Sequence, residues 1–104
     1  MNTELLRPIT SKEVDAYHHD GVLLLKNMFD KDWIELLNKG IDTNIKTPTK
    51  RSRIWHKDTS GRSMFYDHTA WQNIDEYKKF IFNSPAAKIC GRLTGMYPRI
   101  WAKV

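Results

Sequence analysis

The sequence predicts an α+β chain that is mainly helical as given, and two observations carry that reading. Apolar residues recur at helical spacing in four stretches, bracketed by residues that start or stop helices. Two short runs, residues 22–25 and 99–104, have the composition of β-strands instead. The 104 residues fit one small domain or a piece of a larger one. Four Trp, four Tyr and four Phe supply enough apolar area to argue against disorder.

The first helix is expected over Ser11 to Asp20. Thr10 and Glu13 stand at capping-box spacing, Val14 and Tyr17 share a face, and Gly21 fits the left-handed position that ends a helix. Residues 22–25 (Val-Leu-Leu-Leu) are fully apolar and read as a buried strand. Asp30 is a good N-cap for a second helix, with Phe29 placed to staple onto Ile34. Its stripe is Trp33, Ile34, Leu37 and Ile41, and Gly40 weakens its end. From about residue 43 to 69 the periodicity is lost, which predicts a long irregular loop with short extended pieces. Ile74, Tyr77 and Ile81 form a third stripe, with Phe80 beside it. Ser84 (N-cap) and Pro85 (first helical position) open a fourth helix carrying Ala86, Ile89, Cys90 and Leu93, which Gly95 ends. Cys90 falls on that stripe and reads as a small buried hydrophobe, and Trp33, Trp71 and Trp101 read as core anchors.

Composition narrows the function classes. No stretch approaches the roughly 18 apolar residues of a membrane span, and the first ten residues have no apolar signal region. A single cysteine excludes an internal disulfide and a Cys-based zinc site, which suits a reducing, cytoplasmic setting. The net charge of +5 fits an anionic partner, or a surplus that other residues balance. Neither a P-loop nor a G-x-G-x-x-G loop is present.

Two predicted strands make a marginal sheet for four helices, and the second runs to the last residue with no turn after it. Further strands downstream are the simplest expectation; a small, mostly helical domain is the rival. The order of elements resembles the phytanoyl-CoA dioxygenase family. The resemblance rests on residues 9–29 (ITSKEVDAYHHDGVLLLKNMF), with Asp20-Gly21 at the helix–strand junction, followed at once by a second helix. It continues in residues 77–104 (YKKFIFNSPAAKICGRLTGMYPRIWAKV), with a Ser-Pro step, a Leu-x-Gly helix end and a strand. It covers most of the chain and is moderately specific. It implies the N-terminal helices and first strands of a double-stranded β-helix (jelly-roll) oxygenase, dependent on Fe(II) and 2-oxoglutarate and acting on a small-molecule substrate. In that family a His-x-Asp/Glu pair and a distant His bind the iron as a facial triad, and a later Arg pairs with the cosubstrate carboxylate. The metal pair follows the strand that closes this chain, so no catalytic, cofactor-binding or metal residue is carried over.

Two local features compete with that reading. His56-Lys57-Asp58 spells His-x-Asp, with His68 as a conceivable third ligand, and residues i and i+2 of an extended segment face one way. The same pattern recurs at His18-His19-Asp20, chance produces it readily, and it precedes the Leu-x-Gly helix rather than following it. His56 and Asp58 are therefore read as a polar loop. The second feature is the basic stretch Lys46, Lys50, Arg51, Arg53, Lys57 and Arg62 around Trp55, with Asp58 its one acid. A solvated loop is the first reading of it. Contact with an anionic substrate such as an acyl-CoA, through Lys50, Arg51, Arg53 and Trp55, is the second. Single-stranded nucleic acid stacking on Trp55 is the third. A small basic binding module is thus the alternative to the oxygenase fragment, and a plain helical interaction domain stands behind both.

Overall fold

The structure, a computed structural model, describes residues 1–55 and 58–96. Its elements run α1 (Ser11–Asp20), α2 (Lys31–Lys46), β1 (Ser52–Trp55), β2 (Met64–Asp67), a 3-10 turn (Ala70–Gln72), α3 (Asp75–Asn83) and α4 (Ala86–Thr94). The fold is therefore mixed: four helices and one two-stranded antiparallel ribbon.

Local chemistry explains the helix ends. The Glu13 amide donates to the Thr10 hydroxyl (3.2 Å) and the Thr10 amide to the Glu13 carboxylate (3.0 Å), closing the capping box. Arg7 adds a two-pronged contact to the same carboxylate at 2.8 and 2.9 Å. Gly21 adopts φ 74°, and its amide donates to the Tyr17 carbonyl. Asp30 caps α2 by accepting from the Trp33 amide at 3.1 Å. The fourth helix begins one residue later than its Ser-Pro step predicts: Pro85 is the cap, while the Ser84 hydroxyl accepts from the Ala86 amide at 3.3 Å.

Two clusters hold the helices. Ile9, Met28 and Ile89 are buried together, with Leu5, Val14, Leu25, Phe29 and Leu93 against them, so α1 and α4 share one core. Trp33, 1% exposed, anchors the other. Its ring meets Phe80 edge-on at 5.6 Å, and its indole N–H donates to the Asn2 carbonyl at 2.6 Å. Phe29 meets Phe80 with a tilted ring at 5.1 Å rather than stapling Ile34, which is half exposed. The second helix does not end near Gly40 but runs on to Lys46. Gly40 is buried where α2 crosses α3, and a β-carbon there would lie 3.0 Å from both the Glu76 β-carbon and the Tyr77 ring.

Three expectations are corrected. Residues 22–25 are not a buried strand: the segment is extended, no ladder pairs it among the described residues, and Val22 and Leu24 are 72% and 78% exposed. A strand needs a partner for its amides and carbonyls, and an apolar run does not supply one. Cys90 is exposed, because it sits one residue, about 100°, around the helix from the buried Ile89. The stretch 43–69 has the short extended pieces expected of it, but it is more regular than a loop. It contains the last turn of α2 and the β1–β2 ribbon, with Ser52 opposite Asp67, Arg53 opposite Tyr66, Ile54 opposite Phe65 and Trp55 opposite Met64. Trp71 is partly buried and meets Phe82 edge-on at 6.2 Å. The expected strand 99–104, with Trp101, lies outside the described residues.

Candidate functional site

The basic stretch falls on the end of α2, the connection after it and the ribbon. That connection is tied down by Asp67 at the end of β2. The Thr49 amide and the Asn44 side-chain amide each donate to the Asp67 carboxylate at 2.8 Å, and the Thr49 hydroxyl donates to it as well. Asn44, buried on α2, in turn accepts from the Tyr77 hydroxyl at 3.4 Å. Partial burial pushes the Asp67 carboxyl up, but the Thr49 and Asn44 donors and the nearby Arg51 charge outweigh it and hold the group below the usual carboxylate range. Burial, with the charges of Asp67 and Glu76, raises Tyr77, so its phenol stays protonated. An ionised carboxylate with its oxygens occupied orients structure rather than taking protons. The open depression beside it, about 470 Å³, is lined mainly by Ile41, Ile45, Phe65, Trp71 and Tyr77.

The four candidate anion contacts part company here. Arg51 is a brace: its guanidinium donates to the His68 carbonyl and to the Asn73 side-chain oxygen, both at 2.8 Å, joining the approach to β1 with the exit from β2. Lys50 is exposed and borders a second open depression of about 520 Å³ with Thr47, Pro48 and Asn73. Arg53 is exposed on β1 and donates to the Ser52 carbonyl at 2.8 Å. Trp55 is 50% exposed. Strand register groups the last two with residues that the sequence reading did not single out. Opposite positions of an antiparallel pair share a face, so Arg53, Trp55, Met64 and Tyr66 form one surface, and Ser52, Ile54, Phe65 and Asp67 form the other.

Of the His-x-Asp candidate the structure describes only the aspartate. His56 and Lys57 lie outside the described residues. Asp58 is committed to the turn that follows: its carboxylate accepts from the Ser60 amide and hydroxyl and from the Arg62 amide and guanidinium, at 2.6 to 2.9 Å. The Ser60 hydroxyl is the leading cause that keeps Asp58 below the usual carboxylate range. His68 shares a hydrogen bond with the Tyr66 hydroxyl at 2.8 Å, and His19 lies against Asp20 at 2.7 Å on the exposed end of α1. Among the described residues no three His, Cys, Asp or Glu side chains gather as a metal-ligand set.

The turn at Asp58 carried a signal that sequence reasoning passed over. Asp at the first position and Gly61 at the fourth suit a tight turn, and the Gly61 amide donates to the Asp58 carbonyl at 3.0 Å. No helix of the described residues is long and apolar enough to cross a membrane. Comparison with protein-family models, with curated proteins and with solved structures finds no match.

Proposed function

We propose that these residues form the outer helices and the first strand of an oxygenase of the phytanoyl-CoA dioxygenase type. Such a jelly-roll enzyme uses Fe(II) and 2-oxoglutarate to hydroxylate a small organic substrate, here in the cytoplasm. The observation that supports this reading is the extended segment between α1 and α2. Leu23 and Leu25 are partly buried, whereas Val22 and Leu24 face solvent almost fully. A strand that lies on helices with one face and in a layered sheet with the other alternates in this way. Its place directly after Asp20-Gly21, and the Ser84-Pro85 step before a helix closed by Gly95, follow the family's order of elements. In this reading the iron ligands and the cosubstrate arginine come from residues other than those described, and this part of the chain is scaffold.

Two measurements test the proposal. The intact mass and sequence of the protein from its native source should reveal roughly 150 further residues, about what a jelly roll needs, with a His-x-Asp/Glu pair and a later His among them. A native chain without such residues would overturn it. An anaerobic Fe(II) titration of the 104 residues should show no tight stoichiometric binding; tight binding abolished by His56→Ala would place the iron in the polar loop and refute the scaffold reading.

A further inference from the structure

We infer that the face of the β1–β2 ribbon carrying Arg53, Trp55, Met64 and Tyr66 is a docking platform for single-stranded nucleic acid, a reading independent of the oxygenase assignment. Exposure is the first support: Trp55, Met64 and Tyr66 are 50%, 61% and 46% exposed, an unusual concentration of large apolar and aromatic groups on four strand positions. His68, two residues beyond Tyr66, extends the same surface, with its ring nitrogen on the Tyr66 hydroxyl.

Charge complementarity names the occupant. None of the four face residues is acidic. Asp67 is on the opposite face and is occupied by Thr49 and Asn44, while Asp58 is neutralised by Arg62 at 2.8 Å. Arg53 is the cation within the platform, on a chain of net charge +5. A cation set among flat rings suits a ligand that alternates phosphates with planar bases. Arg51, braced to His68 and Asn73, is not needed for this.

Spacing favours a strand over a lone nucleotide. Arg53 faces Tyr66 and Trp55 faces Met64, so the two rings are diagonal neighbours. Diagonal positions are separated by about 7–8 Å, close to two steps of a stacked strand at about 3.4 Å each. Two rings so placed can each take a base of one strand, whereas a mononucleotide can use one ring. Stacking reads no base edge, so little sequence preference is expected.

The test is fluorescence anisotropy with a labelled oligothymidylate of about 12 nucleotides, using the full chain, from low to moderate salt. Binding is expected, and it should weaken as salt rises. Trp55→Ala and Tyr66→Ala should each weaken it by about tenfold or more, while Trp55→Phe keeps a ring and most of the affinity. Arg53→Gln should lower the salt slope by about one; Lys12→Gln, the same loss of charge on α1, should not. Circular dichroism melting of each variant separates lost contact from lost fold. The proposal is overturned by an absence of binding at low salt. It is equally overturned by binding that both alanine variants leave unchanged, or by thymidine monophosphate competing as well as the oligomer at equal nucleotide concentration.

Discussion

Replacing Gly40 by alanine sets two well-calibrated effects against each other. In an ordinary helix interior the change stabilises by up to about 1 kcal/mol, because glycine loses more backbone freedom on folding. Here the new β-carbon would lie 3.0 Å from the Glu76 β-carbon and 3.0 Å from the Tyr77 ring, against roughly 3.5–4.0 Å for a relaxed carbon contact. The Tyr77 ring can swing only by giving up its hydrogen bond to Asn44, and the Glu76 β-carbon is one bond from the backbone, so α3 itself must shift. Overpacking of this kind costs about 1–3 kcal/mol. The clash therefore wins, and Gly40→Ala should lose about 1 kcal/mol net. In urea that is a fall in midpoint of about 1 M for a chain of this size, read by far-ultraviolet circular dichroism. Asn38→Ala, on the exposed side of α2, serves as the control and should raise the midpoint slightly. A Gly40→Ala midpoint at or above that of the parent would refute the close crossing of α2 and α3.

Other expectations follow from single groups. Arg7 first, then the Thr10 amide, lower the Glu13 carboxyl from 4.5 to about 2. A depressed folded-state value means that its contribution is fully present above about pH 4.5 and disappears as pH falls toward 2. Glu13→Gln should flatten the stability profile in that window, and an unchanged acid limb in urea titrations at successive pH values would contradict the Arg7 pairing. The exposed Cys90 thiol should react stoichiometrically with a chromogenic aromatic disulfide in the native state; reaction that waits for denaturant would return Cys90 to the core.

Most structural decisions made within a turn or two of chain were legible, the Asp58 turn and the Phe29–Ile34 staple being exceptions. Thr10 and Glu13, Gly21, Asp30 and Gly95 each act on backbone groups three or four residues away, and each holds its expected place. Decisions made across the fold were not visible. Gly40 reads as a weakness by propensity, yet it is the contact that lets two helices approach. Cys90 has the right spacing for a stripe, but spacing does not reveal what covers it. The Asp67 network joins residues 18 and 23 positions apart, none of them in a motif. The ribbon was concealed by an eight-residue connection between its strands, so its register, and with it the shared face of Trp55 and Tyr66, emerged only from the pairing. The apolar segment after Gly21 was recognised as extended but expected to be buried, whereas Val22 and Leu24 are exposed.

The core built from Ile9, Met28 and Ile89 also bears on the order of events during synthesis. Its members come from opposite ends of the described chain, and Lys88 reaches back to Glu4. Joining residues about 80 apart costs on the order of 4 kcal/mol in loop closure before any packing repays it. The Trp33–Phe80 crossing and the ribbon need less chain and can be in place first. Until α4 has emerged from the ribosome, Leu25 and Met28 lack the part of their core that Ile89 and Leu93 supply. During that interval the nascent chain displays an apolar stretch from Val22 to Phe29, broken by Lys26 and Asn27, of the kind that chaperones bind.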